Sequence, residues 1–169
     1  WEAIMQAGAP YDITPYGTEA MHVLRAEKGY VIVGQDTDGS VTPIDLGMAG
    51  MVAASKDCLG KRSLARADTA RADRKQLVGL LTADAHAVLP EGGQIVEDAN
   101  ASPPVPMVGH VTSSYYSAAL GRSIALALVK DGRARHGQRV FVPGHDGRSI
   151  PAVIGSSVFY DAEGSRQHV

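Results

Sequence analysis

Four side chains able to bind charge or move protons crowd one stretch. Glu19, His22, Arg25 and Glu27 lie within the segment from Tyr16 to Asp38, YGTEAMHVLRAEKGYVIVGQDTD. His22 can donate to a carbonyl or a carboxylate, and its charge can change near neutral pH. On a helix His22 and Arg25 are three apart and share a face, whereas Glu27 lies on another side and would meet Arg25 only at the turn or through a partner. Two readings are open. In one, Arg25 and Glu27 hold the helix to the rest of the fold through buried charge-assisted hydrogen bonds, because charges on a buried helix must be paired. In the other, His22 faces a ligand.

Elsewhere no pattern announces catalysis on its own. The chain has no phosphate-cradling glycine loop, no Gly-x-Ser-x-Gly elbow and no His-Glu-x-x-His pair. The histidines at 22, 86, 110, 136, 145 and 168 are dispersed, and a metal site needs converging ligands, so none is expected. Cys58 is the sole cysteine, which excludes an internal disulfide and fits a reducing compartment; with no base nearby in sequence it reads as a small buried side chain.

The elements that must position the polar stretch follow from periodicity and turn signals. Trp1, Ile4 and Met5 fall at helical spacing, as though an amphipathic helix had been entered midway, and Gly8 and Pro10 end it. The sharper expectation is that residues upstream of Trp1 belong to the same fold. Tyr11 to Pro15 reads as a connecting loop. Ala20, Met21, Val23 and Leu24 supply an apolar face for a buried central helix, and Gly29 ends it in the left-handed conformation. The uninterrupted run Tyr30 to Val33 predicts a short strand covered on both faces. Asp38-Gly39 marks a tight turn, Ile44 to Ala54 is rich in small residues, and Leu59 to Arg74 predicts a helix exposed on its basic side.

Beyond Lys75 the character changes. Apolar runs at Gln76–Thr82, Val88–Val96, Val105–Ser114, Ile124–Lys130, Arg139–Val142 and Ile150–Val158 are separated by turn signals, with Pro-Glu-Gly-Gly inside the second suiting a hairpin. About six short strands at this spacing predict a small antiparallel barrel or sandwich. The expected division is residues 1–74 and 75–169. With 169 residues and 44% hydrophobic content the chain can build a real core. A net charge of -2 gives no footprint for nucleic acid, and no apolar run approaches the ~20 residues needed to span a bilayer. A soluble, cytoplasmic chain is expected.

One further pattern runs the length of the chain. Gly17-x-x-Ala20-x-x-x-Leu24-Arg25-x-Glu27-x-Gly29 is followed by Gly34-x-Asp36, Thr42-Pro43, Lys56-Asp57, Gly60-Lys61 and Leu64. Gly109-x-Val111-Thr112-Ser113, Ser117, Leu120 and Ile124-Ala125-Leu126-Ala127 follow. In this order they resemble the aminomethyltransferase family, the glycine-cleavage T-protein and its relatives. The resemblance implies an α+β fold in which a helical and strand segment completes a folate-binding domain and an antiparallel barrel of distorted jelly-roll type follows.

Within that family, T-proteins usually carry an Arg-Asp pair on the central helix, and in register that pair falls on Met21 and His22. The string YGTEAMHVLRAEKGY is more similar to the branch found at the C-terminus of the large subunit of heterotetrameric sarcosine oxidases. That likeness implies capture, on tetrahydrofolate, of the one-carbon unit released when a flavin oxidises sarcosine. Flavin (FAD or FMN) and NAD would lie elsewhere in the parent complex, with beta, gamma and delta subunits as partners. The family's key aspartate falls before Trp1, so no catalytic residue is expected in this chain. The implied folate wall comprises His22, Arg25 and Glu27, with Tyr16 and Tyr160 at its rim. A lipoyl-dependent aminomethyltransferase and a noncatalytic module of the same fold are the alternatives.

Overall fold

A computed structural model describes residues 1–144 and 146–167; His145 and His168 lie outside the described residues. Helix α1 (Glu2–Gly8) opens the chain, followed by α2 (Thr18–Glu27) and a single helical turn, α3 (Lys61–Leu64). Six strands make one antiparallel sheet: β1 (Lys75–Thr82), β2 (Gln94–Ile95), β3 (Gly109–Ser117), β4 (Arg122–Lys130), β5 (Arg139–Pro143) and β6 (Ser149–Gly155). Their order is β2-β3-β4-β1-β6-β5. Among the described residues no continuous ladder closes this sheet. Its two edges nevertheless meet at one bridge, where Val96 and Phe141 exchange both backbone hydrogen bonds at 2.9 Å. The result is a distorted barrel, in which that bridge covers edges that would otherwise be exposed.

Strand β4 shows how the sequence builds the core. Side chains alternate across a strand, so Ala125, Ala127 and Val129 point into the barrel with Val78, Leu80, Val111 and Ile154. Ile124, Leu126 and Leu128 point outward and meet Ala26 of α2, with Val31, Leu46 and Phe159 around them. An unbroken aliphatic run is what a strand covered on both faces requires.

Helix α2 ends as its sequence demands. Gly29 takes φ +71°, its N–H donates to Ala26 O, and Tyr30 N–H donates to Arg25 O, a Schellman closure.

Other local expectations are corrected. Tyr30–Val33 is not a strand: it makes a single bridge, Val33 to Thr37, and Val33 is 86% exposed. Among the described residues no strand lies beside this run to use its backbone groups, and β propensity without a partner does not make a strand. Leu59–Arg74 forms only α3 and turns, because the arginines and aspartates there pair across loops and no buried apolar face forms to stabilise a longer helix. Val88–Val96 is no hairpin: Pro90–Gly93 is a turn, and β2 pairs with β3. The central helix buries only Ala26 and Glu27, leaving Met21 and Leu24 exposed. Cys58 is exposed as well, in the loop before α3.

Candidate functional site

Arg25 is the hub of the polar stretch. Its Nη1 donates to the carboxylate of Asp36 and to Tyr30 O (3.2 Å); its Nη2 donates to Ser113 Oγ (2.6 Å) and Tyr115 Oη (3.2 Å). The guanidinium carbon also lies 5.7 Å from the Tyr115 ring centroid, within cation–π range. Asp36 is fully buried and fully satisfied. Besides Arg25 it accepts from Ile32 N–H (2.8 Å), Thr112 Oγ1 (2.6 Å) and Ser113 Oγ (2.6 Å).

Two consecutive strand residues would ordinarily face opposite ways, yet Thr112 and Ser113 reach the same carboxylate oxygen. The cause is a β-bulge: Val111 pairs with Ala127 but Ser113 with Leu126, so Thr112 is the extra residue and the strand turns there. Gln35 completes the layer, donating to Ser113 Oγ (3.1 Å) and Tyr115 Oη (3.2 Å).

Glu27 is attached separately. Ser117 Oγ donates to its Oε1 at 2.5 Å, and its main-chain carbonyl accepts from both Phe159 and Tyr160 N–H. Lys28 donates to the Asp161 carbonyl, tying the same helix end to the C-terminal segment. Arg25 and Glu27 therefore do not pair with each other; each fastens α2 to a different position on β3.

His22, one turn before Arg25, has its ring 6.3 Å from that of Tyr115, and its Nδ1 is buried without a hydrogen-bond partner. A buried polar atom left unpaired costs free energy, and among the predicted residues His22 Nδ1 shares that state with the Nε of Arg25, whose other two nitrogens are bonded. Tyr16 stands apart at 69% exposure. Tyr160 is half-buried under the Arg166 guanidinium, 5.6 Å from the ring centroid, and joins the others only through its backbone bond to Glu27. The structure thus gathers His22 and Arg25 around Tyr115, with Glu27 and Tyr160 at the helix end and Tyr16 outside. Sequence reasoning did not single out Gln35, Tyr115 or the roles of Asp36, Thr112, Ser113 and Ser117. The signal was the unbroken hydroxyl-bearing run Thr112 to Ser117 within β3. Among the described residues, no three His, Cys, Asp or Glu side chains converge as metal ligands.

Comparison with known proteins identifies the family of the chain. The family model described as the glycine cleavage T-protein C-terminal barrel domain matches residues 75–161, and the GCVT N-terminal domain matches residues 1–56. Sarcosine oxidase subunit alpha of Corynebacterium sp. (strain U-96) is 52% identical over 169 residues, 99% of this chain but 17% of that protein. An aminomethyltransferase of Thermotoga petrophila is 31% identical over 160 residues, 95% of this chain and 41% of that protein. The crystal structure of glycine cleavage system aminomethyltransferase T from Bartonella henselae superimposes with a TM-score of 0.72 at 19% identity, over 95% of this chain and 44% of that one. It shares the fold. With both family models matched in order and the barrel matched from β1 past the end of β6, the chain belongs to the glycine cleavage T-protein family.

Proposed function

We propose that this chain is the C-terminal portion of a sarcosine oxidase alpha subunit that binds tetrahydrofolate and helps capture the one-carbon unit as 5,10-methylenetetrahydrofolate, alongside glycine and hydrogen peroxide. The observation that carries the reading is the identity gap, 52% to a sarcosine oxidase alpha subunit against 31% to an aminomethyltransferase over nearly the same residues. Met21-His22 in place of the Arg-Asp pair points the same way. Residues 1–74 would complete the folate-binding domain and residues 75–169 form the barrel. Flavin and NAD would bind elsewhere in the parent complex, together with the beta, gamma and delta subunits, in the cytoplasm.

Bound tetrahydrofolate supplies the nucleophilic amines that accept the one-carbon unit. The residues of this chain fit a wall for it. His22 Nδ1, buried and unpaired, can bond a polar edge of the ligand. Arg25 and Glu27 act as positioning residues, since their hydrogen bonds already fix α2 against Ser113, Tyr115 and Ser117. A wall held in this way keeps the ligand oriented and limits water access, the contribution that positioning makes to transfer chemistry. The proton-handling carboxylate is assigned to the parent polypeptide upstream, so the isolated chain is expected to be inactive.

The test uses the parent enzyme. Tetrahydrofolate at about 100 times its Kd should stabilise it by ~2.7 kcal/mol, and sarcosine turnover should then yield 5,10-methylenetetrahydrofolate. His22→Ala should weaken folate binding roughly tenfold while leaving flavin reduction by sarcosine intact. An absence of any folate-dependent thermal shift would refute the reading. Methylene transfer from a lipoyl carrier without flavin would reassign the chain to the aminomethyltransferases.

A further inference from the structure

A cavity of about 330 Å³ opens at the start of β1, where the loop from Asp38 to Val41 passes over the ends of β3 and β4. Its size is at the lower end of small-molecule sites. Four cationic side chains line it, Arg71, Arg74, Lys75 and Lys130, against two acidic ones, Asp38 and Asp73. Three of those cations are already paired. Arg74 is bound by Asp45, Arg71 by Asp73 and Asp68, and Lys130 by Asp73 at 3.2 Å.

Lys75 is different. Among the described residues no carboxylate lies within 4 Å of its ammonium. It also stands directly opposite Lys130 in the β1–β4 register. Like charges facing each other across adjacent strands are destabilising, and of the two only Lys130 has a carboxylate, Asp73, at contact distance among the described residues. Asp38 does not reach Lys75 at contact distance, and its Oδ1 is taken by the N–H (2.8 Å) and hydroxyl (2.6 Å) of Ser40.

Beside Lys75, His110 is partly buried in the cavity wall, and its imidazole, unlike its ladder-paired backbone, makes no hydrogen bond among the described residues. Burial first, and the Lys75 charge second, hold its imidazole below the ordinary histidine range, while Asp38 opposes them. A neutral imidazole can donate one hydrogen bond without adding to the positive charge. Val41, Met107 and Leu128 make the rest of the wall apolar.

We propose that this cavity binds a small organic anion, a carboxylate or phosphate monoester on an apolar body, with Lys75 as its charge partner and His110 as a neutral donor. The apolar body would rest on Val41, Met107 and Leu128. This site does not depend on the folate reading, because neither Lys75 nor His110 belongs to the group around Arg25.

The experiment is calorimetric titration of the full parent subunit with hexanoate, phenyl phosphate, inorganic phosphate and hexylamine. Saturable binding of hexanoate or phenyl phosphate is expected, and the tighter of the two identifies the anionic group. Lys75→Met should weaken it at least tenfold, whereas Lys75→Arg should stay within about threefold. Without ligand, Lys75→Met should melt no lower than the wild type, because it relieves the Lys75–Lys130 repulsion. Equal affinity in wild type and Lys75→Met, tighter binding of hexylamine, inorganic phosphate matching phenyl phosphate, or no saturable heat from either organic anion at ~10 mM would each overturn the proposal.

Discussion

Asp36→Asn is the most informative single change to the fold. It keeps the size and shape of a fully buried side chain but removes the charge opposite Arg25, and it replaces one acceptor oxygen with an NH2 donor. The carboxylate accepts from four groups, Arg25, Ile32 N–H, Thr112 and Ser113. Each oxygen takes two of them, so two must then face a donor, and Arg25 keeps a nearly buried guanidinium with no counter-charge. Breaking one partner of a buried pair costs on the order of 3–5 kcal/mol. Hydrogen exchange gives the local readout. At ~1.4 kcal/mol per factor of ten, protection of the Ile32 and Gln35 amides should fall at least a hundredfold, while that of the barrel strands β1 and β4 falls less. Combining Asp36→Asn with Arg25→Met should recover part of the loss, since the two are directly coupled. Protection within about fivefold of wild type in Asp36→Asn, or strictly additive losses in the double variant, would refute the view that this pair fastens α2 to β3.

Two further outcomes follow from particular contacts. Gly29→Ala would place a Cβ 2.6 Å from the Ser157 carbonyl oxygen on a backbone at φ +71°; a loss of roughly 1–3 kcal/mol is expected by thermal denaturation, and a neutral result would mean that the turn opens at no cost. Asp45 titrates in the opposite sense to its burial: desolvation pushes its carboxyl up, but Arg74 and Thr42 together outweigh that and hold it below the ordinary 3.8. A depressed folded pKa stabilises above the unfolded value and loses that contribution as pH falls through the folded one. Asp45→Asn should therefore be less stable than wild type at neutral pH, with the gap closing below about pH 4. A gap of constant size down to the acid transition would show that the Arg74 contact contributes nothing.

The way α2 is held has a physical consequence. Its apolar side chains Met21 and Leu24 remain exposed, and besides the packing of Ala26 on β4 the contacts that fix it are directional: a guanidinium on Asp36, Ser113 and Tyr115, and a carboxylate on a serine hydroxyl. Directional bonds specify orientation better than apolar contact does, because geometry decides whether each is made. His22 is thereby held one turn from a fixed Arg25, the placement that the proposed folate wall calls for.

Several features were determined by the sequence alone. The aliphatic run Ile124–Lys130 reads as a strand and forms β4, and Gly29 reads as a helix stop and takes φ +71°, because both follow from local geometry. The order of motifs along the chain placed it in its family for a similar reason, since each marks a local backbone or packing requirement. What tertiary structure alone decided is who meets whom. Arg25 had Glu27 close by in sequence, yet its partner is Asp36, brought within reach by the Gly29 turn and completed by a bulge at Thr112 that no periodicity reveals. The same holds for Tyr30–Val33, a strand by propensity but not in fact, and for Lys75 facing Lys130, which exists only in the β1–β4 register. Local free energies are written in neighbouring residues. Pairings across the fold depend on where the chain returns, and that is settled only when the whole sheet assembles.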